Sequence, residues 1–306
     1  MSDIKIFNVC ADTVHEIEGV SADIEKSLQN LIEKNLETFF GIRLLASEYS
    51  TGKLHGGRID TLGIDENGCP VIIEYKRTIN ENVINQGLFY LDWLMDHKAE
   101  LKLLVMDKIN SETASSIAWS SPRLLCIAGD FTKYDVHAVQ QMHRNIELIR
   151  YRLYGKDLLL FQLVNVVTND KAEVSGGEKK KKGKTAYKTV SEFLSKSNDE
   201  LKELFDTIKN YLMALGDDVQ VKTMLYYFAF KRIKNFTCIE VHPASQKLLV
   251  FVKINPDFVD LERNKGFLRD VRKIGHFGTG DLEITISSKE DFEKAKPYLL
   301  KSYEVS

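Results

Sequence analysis

The chain has no run approaching the ~20 uninterrupted apolar residues that a helix needs to cross a bilayer. Its opening, MSDIKIFNVCADTVHEIEG, lacks the basic and apolar blocks of a secretory signal, so the expected address is the cytoplasm. Cysteine is scarce. Cys10, Cys69, Cys126 and Cys238 lie far apart without a CxxC pair, which argues against a zinc ribbon or a disulfide framework and leaves them as small buried hydrophobes. His55, His137 and His143 form no HxxxH pattern and have no partnering cysteine, so a zinc site is not expected. With 5 prolines and 18 glycines, collagen-like and Pro/Gly-rich disordered compositions drop out.

What remains is an ordinary globular balance, 43% hydrophobic and 28% charged over 306 residues, enough for about two domains at roughly 150 residues each. The net charge of -2 hides an uneven distribution. Residues 1–168 carry 17 Lys and Arg against 23 Asp and Glu, whereas residues 169–188 carry 7 against 3. An acidic first half is not the footprint of a protein held to nucleic acid by bulk charge, so any such binding needs a local patch or a metal. The segment NDKAEVSGGEKKKKGKTAYK has almost nothing to bury and reads as a solvated linker whose lysines are also able to touch phosphates. Three regions follow: a domain over 1–168, a Lys/Gly-rich linker over 169–188 and a smaller domain over 189–306.

Residues 21–40 place Leu28, Leu31, Ile32, Leu36, Phe39 and Phe40 at helical spacing, with Ser21 as N-cap and Gly41 as stop. IRLLASEYS, GGRIDTLGID and CPVIIEYKR read as strands, the last two joined by Glu66-Asn67-Gly68. A helix over 80–98 opened by Asn80 follows, then LKLLVM as a strand, SETASSIAWS as a short helix, PRLLCIAGDF as a strand, DVHAVQQMHRNI as a helix and YGKDLLLFQLVNVV as a closing strand. This order predicts an α/β fold, a mixed sheet with helices on its faces. In the second domain the pattern predicts helical VSEFLSKSNDELKELFDTIKNYLMALG, a hairpin of FTCIEVHP with KLLVFVKINP, a short helix LERNKGFLRDV, a strand DLEITIS and a closing helix from Lys289, a small α+β unit.

The chemistry concentrates between Asp60 and Lys76. A three-residue loop with Gly68 in the left-handed position pairs Asp65 with Cys69 and, counting back, Asp60 with Glu74. Opposed residues have Cβ atoms about 4.5–5.5 Å apart, so two carboxylates repel there unless a cation lies between them. Alternation puts Lys76 on the face of Glu74 and turns Ile73 and Tyr75 the other way. Arg58, two residues before Asp60 on the same face, is a candidate phosphate ligand, and the glycines of HGG at 55–57 allow a backbone to approach closely. Two acids and a lysine suit metal-assisted phosphodiester hydrolysis with Mg²⁺ or Mn²⁺. The competing reading is a polar strand face with an ordinary surface ion pair.

G-R-I-D at 57–60, a short hairpin and I-E-Y-K at 73–76 resemble the metal-ligand core of the PD-(D/E)xK nuclease superfamily. Gln86 and Tyr90, as Q-x-x-x-Y on the next helix, resemble the motif of RecB-type nucleases, and the frame from Glu25 through ASEY to EYK resembles the nuclease half of the NucS-like (DUF91-like) endonucleases. The likeness covers roughly residues 20–165, and residues 189–306 resemble a domain of unknown function (DUF5655-like) found behind such nucleases. Ile59 stands where that pattern usually has proline.

The resemblance implies a restriction-endonuclease-like fold and a Mg²⁺- or Mn²⁺-dependent deoxyribonuclease, most readily an endonuclease. Asp60 and Glu74 would ligate the metal, Lys76 would position the attacking water, Arg58, Gln86 and Tyr90 would hold the DNA strand, and an acid from the first helix would assist. Taking Ile24 as zero at about 100° per residue, the apolar stripe runs from about -20° to 160°, with Glu25 at about 100° inside it and Glu33 at about 180° on its edge. Glu25 is therefore the preferred helix acid, with a salt bridge at a helix start as its alternative. A homodimer is expected only by analogy, because cutting both strands of a duplex with one site per chain favours a two-fold pair.

Other features carry less. Gln86 and Tyr90 are also simple neighbours one helical turn apart. Glu48 in ASEY reads as a further ligand or, preferentially, a sheet-edge solubiliser. Trp93 and Trp119 read as core. TMLYYFAFKRIKNF, with Lys231, Arg232 and Lys234, and RDVRKIGHFGTGD mix aromatic and basic residues able to stack bases, or else form a buried strand with charged ends at water. The alternative function is a non-catalytic nucleic-acid- or protein-binding assembly factor on a nuclease-like scaffold.

Overall fold

The computed structural model describes residues 4–21, 25–52, 56–76, 83–142, 144–167 and 189–306. The chain divides into two units, 1–172 and 173–306, and the expected linker at 169–188 lies outside the described residues.

In the first unit the elements run β1 (Ile6–Cys10), β2 (Thr13–Ile17), β3 (Gly19–Val20), α1 (Glu25–Lys34), α2 (Leu36–Phe40), β4 (Ile42–Ser50), β5 (Arg58–Asp65) and β6 (Pro70–Lys76). They continue as α3 (Val83–Asp96), α4 (Lys98–Lys108), α5 (Ser111–Ser115), β7 (Arg123–Ala128), α6 (Lys133–Gln141), β8 (Asn145–Tyr154) and β9 (Leu158–Val167). Seven strands form one sheet in the order β3-β8-β7-β6-β5-β4, with β9 on β8. β6, β7 and β8 are parallel and their outer neighbours antiparallel, so the sheet is mixed, as the element order predicts. β1 and β2 make a separate two-stranded hairpin for which the sequence reading offered no assignment.

The central strands are buried on both faces, which is why PVIIEYK and RLLCIA read as almost continuous apolar runs. Helix α3 covers one face with Leu91, Trp93 and Leu94. Its Gly87 is required there, because a Cβ at that position would lie 2.4 Å from Leu124 Cδ1. At the other end of the central strands, Arg123 is 2% exposed and donates to Asp65 and to both oxygens of Glu147, each at 2.8 Å. This triad ties β5, β7 and β8 together.

In the first unit four expectations need correction. LKLLVM is not a strand. It lies inside α4, where Leu101 and Val105, one turn apart, are buried while Leu103 is exposed, a helical burial pattern that a short apolar run does not reveal. The helix read over 21–40 breaks at Asn35 into α1 and α2, although Gly41 does stop it at φ +64. The helix expected to run to Ile146 ends at Gln141, and ELIRYRL after it is the body of β8. Of the four cysteines, Cys10 is exposed and the other three are buried, and none forms a disulfide. The expected Asn80 cap lies outside the described residues, and the expected Ser21 cap abuts residues that do.

The second unit runs α7 (Val190–Lys196), α8 (Asp199–Met213), β10 (Gln220–Thr223), β11 (Phe228–Lys231), β12 (Asn235–His242), β13 (Lys247–Val252), β14 (Leu268–Asp270), β15 (Leu282–Ile286) and α9 (Lys289–Glu304). Its six strands follow the order β10-β11-β12-β13-β15-β14, and the expected hairpin is β12 with β13. Phe205 and Ile208 of α8 and Phe292 and Leu299 of α9 pack against Phe230, Ile239, Val250 and Ile284 of the sheet, giving an α+β layer pair. LERNKGFLRDV is not a helix: Gly266 at φ +87 turns the chain and Leu268–Asp270 joins the sheet edge as β14. Among the described residues no helix is long and apolar enough to cross a membrane.

Candidate active site at the ends of β5 and β6

The hairpin adopts the expected register. Thr61 pairs with Ile73 and Ile64 with Pro70, Asp65 N donates to Cys69 O at 2.9 Å, and Gly68 turns at φ +74. One step beyond Thr61, side chains continue the contact. Glu74 Oε1 accepts from the Asp60 amide at 3.2 Å, and Asp60 Oδ2 accepts from the Tyr75 amide at 3.0 Å. Each carboxylate is thus oriented by the other's strand. Glu74 is 0% exposed and Asp60 half-buried. Burial raises the Asp60 pKa, and the Tyr75 amide and the Lys76 charge oppose that rise. Lys76 is half-buried at the end of β6, close enough for its charge to act on Asp60.

Tyr75 points to the opposite face, as expected, where its hydroxyl lies 3.2 Å from Thr61 Oγ1. Burial pushes that phenol well above its ordinary pKa. Thr61 in turn donates to Glu33 Oε1 at 2.5 Å. Gln29, 3% exposed, donates to the same Glu33 oxygen at 3.0 Å and to the Asp60 carbonyl at 2.8 Å. Helix α1 therefore fixes the Asp60 backbone through Gln29, and Glu33 is spent on the face away from Glu74. Glu25 opens α1, but its side chain lies outside the described set. Gln29 was missed although it falls at about 140° on the wheel, a polar residue inside the apolar stripe.

Glu48 lies on the edge strand β4, as expected, and its carboxylate is engaged with two basic side chains. β4 pairs Ser47 with Thr61 and Tyr49 with Ile59, so Glu48 stands opposite Asp60 on the side away from Glu74. Its backbone is left-handed at φ +54, a conformation that costs a non-glycine residue about 1 kcal/mol or more. Its carboxylate meets Lys26 Nζ and Arg58 Nε, each at 2.6 Å. The Lys26 hydrogen bond, and then the charges of Lys26 and Arg58, hold the Glu48 pKa below the usual carboxylate range. Counting back from Ile42 opposite Asp65 misplaces this residue, because β4 carries a bulge between Leu44 and Ala46.

Asp60, Arg58, Gln86 and Tyr90 line one open pocket of about 690 Å³ with Ser50, Gly52, Gly56 and Gly57. Tyr90 OH accepts from the Arg58 amide at 3.1 Å and from Gln86 Nε2 at 3.2 Å, so the Q-x-x-x-Y pair is joined to the strand that carries Asp60. Gly57 is required by that contact, since a Cβ there would lie 2.4 Å from Tyr90 Cε1. His55 lies outside the described residues. Among the described residues no three His, Cys, Asp or Glu side chains form a metal-ligand group, so the acids brought together for such a role are two, Asp60 and Glu74.

The basic-aromatic segments of the second unit engage much of their charge and ring surface within the fold. Lys231 is 1% exposed, and Arg232 pairs with Asp218 at 2.7 Å with its guanidinium 4.7 Å from the Tyr303 ring centroid. In the RDVRKIGHFGTGD loop, Arg272 is held by Asp257 and Asp270, His276 stacks on Phe251, and Gly278 packs on Cys238.

Residues 190–306 match the family model described as Domain of unknown function (DUF5655). An uncharacterized protein of Haemophilus influenzae (strain ATCC 51907 / DSM 11121 / KW20 / Rd) is 28% identical over 301 residues, covering 95% of this chain and 96% of that one. Among solved structures, the EndoMS-dsDNA2 complex aligns at 20% identity and TM-score 0.29 over 41% of this chain and 44% of that one. A repair endonuclease from Pyrococcus abyssi aligns at 18% identity and TM-score 0.29 over 42% of this chain and 48% of that one. The chain thus spans under half the length of either solved structure, and it is similar from end to end to the Haemophilus protein.

Proposed function

We propose that the first unit is a deoxyribonuclease that hydrolyses phosphodiester bonds with Mg²⁺ or Mn²⁺ held by Asp60 and Glu74. The observation that supports this best is the reciprocal grip of the two carboxylates beside Lys76, with Asp60 in the wall of the pocket that Arg58, Gln86 and Tyr90 share. The donor set fits the ion, because two oriented carboxylates are hard oxygen ligands and Mg²⁺ ordinarily takes one or two of them and keeps several waters. Bound there, the ion would stabilise charge on the phosphate oxygens and lower the pKa of a bound water.

The chain's own side chains supply the rest. Lys76 orients the attacking water and offsets charge developing in the transition state. Arg58 offers its guanidinium to a phosphate oxygen, for which it would exchange its contact with Glu48. Gln86 and Tyr90 set the position of the strand in the pocket, and Glu25 is the assisting acid. A homodimer would bring two such sites to a duplex.

The test is cleavage of single-stranded, duplex and branched DNA with and without Mn²⁺ by the full chain and by Asp60→Ala and Lys76→Ala. The expected result is Mn²⁺-dependent cutting that both substitutions lower by about 10²-fold or more. Absence of cutting on every substrate, together with absence of Mn²⁺ binding by calorimetry, would favour a non-catalytic assembly factor instead.

A further inference from the structure

The second unit carries a cleft of about 480 Å³ between the loop 254–264 and the last turns of α9. Ile254, 4% exposed, and half-buried Val259 and Tyr298 form its apolar lining. Phe258 is 78% exposed at this cleft. A phenyl ring left in water forfeits most of the stabilisation its burial would contribute, so its position calls for an explanation. Local hydrogen bonds hold it there. Phe258 N donates to Asn255 O at 3.1 Å, Asp257 N to Asn255 Oδ1 at 3.0 Å and Val259 N to Pro256 O at 3.1 Å, so the ring stands on an ordered turn.

The charges around the ring are sorted. Asp260 Oδ1 accepts the Arg263 amide at 3.0 Å and so braces its own turn, and Asp257 is paired with Arg272 at 2.8 Å. Arg263 and Lys301, exposed in the lining, form no ion pair among the described residues. Asn264, with its amide nitrogen 2.7 Å from the Asp260 carbonyl, fixes the same loop.

An exposed ring on a rigid turn, flanked by two cations without acidic partners, is the arrangement that stacks a base and holds the phosphates beside it. We infer that this cleft binds single-stranded nucleic acid, with Phe258 stacking a base and Arg263 and Lys301 contacting flanking phosphates. The choice of nucleic acid over other polyanions rests on the nuclease reading of the first unit, so binding and cleavage are measured separately. The second unit would then grip a strand for a site that cuts it.

The experiment titrates a fluorescently labelled 12-nucleotide single strand with the full chain in EDTA, reading anisotropy over a salt series. The comparison proteins are Phe258→Ala and the double substitution Arg263→Glu with Lys301→Glu, all on exposed positions, with thermal melts confirming unchanged folding. Phe258→Ala is expected to weaken binding about tenfold. The double substitution is expected to weaken it further and to lower the slope of log K against log salt by about 1.4, or 0.7 for each lost phosphate contact. Failure of the wild-type chain to bind, binding unchanged in both variants, or equal competition by poly-glutamate would each overturn the inference. Mn²⁺-dependent cleavage with variant-independent binding would sink the cleft and leave the nuclease reading standing. Cleft-dependent binding without cleavage would do the reverse.

Discussion

Asp60 and Glu74 hold each other's strands: the Asp60 amide donates to Glu74 Oε1 at 3.2 Å while the amide next to Glu74, that of Tyr75, donates to Asp60 Oδ2 at 3.0 Å. Acids so placed cost the apo protein stability, because burial favours the neutral form of Asp60 and raises its pKa. The folded chain therefore holds the Asp60 proton more tightly than the unfolded chain does. The stability this lends is fully present below the ordinary value of 3.8 and is lost as pH rises through the higher folded value. Asp60→Asn, which keeps an acceptor for the Tyr75 amide, should raise the melting temperature at pH 8 and leave it unchanged at pH 3. A lower melting temperature at pH 8 would refute the sign.

The Arg123 triad is a different case, with no chemistry assigned to it. Removing the guanidinium leaves Asp65 and Glu147, both within 3% of full burial, as uncompensated charges. Arg123→Ala should destabilise the first unit by about 3–5 kcal/mol in a urea titration, whereas a triple replacement by apolar residues of similar volume should be far milder.

Tyr90 is 6% exposed, and its hydroxyl serves the Arg58 amide and Gln86 at once. Tyr90→Phe should cost about 1 kcal/mol of stability. Cleavage should fall further than that through misplacement of Arg58 and Gln86. Gly57→Ala, which drives a methyl into the Tyr90 ring, should reproduce the loss of cleavage, and assaying both variants on one labelled duplex checks the pair.

The roles proposed for the two helix acids predict opposite outcomes. Glu33 accepts from Thr61 and Gln29 on the face turned away from Glu74, so Glu33→Ala should cost about 1–3 kcal/mol by removing the acceptor these two donors share while cleavage persists. Glu25→Ala should do the opposite, lowering cleavage with little change in melting. Reversed outcomes would make Glu33 the helix acid.

The strand-loop-strand around Gly68 was legible because its information is local: turn length, a left-handed glycine and period-two alternation together set which residues oppose each other. Asp60, Glu74 and Lys76 could be placed for that reason, as could Gln86 and Tyr90 one turn apart on α3. Glu48 and Gln29 could not. The partner of Glu48 depends on a bulge in β4, and the role of Gln29 depends on which carbonyl the helix meets. LKLLVM failed for a related reason, since five apolar residues and one lysine fit either period until one sees that Leu101 and Val105 are buried while Leu103 is exposed.

The amino-acid sequence by itself determined the periodicities, the hairpin register and therefore the meeting of two acids on neighbouring strands, because these follow from interactions within some 15 residues of chain. Tertiary structure alone decided that Arg58, Gln86 and Tyr90 share a pocket with Asp60, that Glu48 stands on its other side, and that the basic-aromatic strand of the second unit faces inward while Phe258 faces out. Those outcomes turn on which surfaces are withdrawn from water when distant segments pack, a quantity the linear order of residues does not contain.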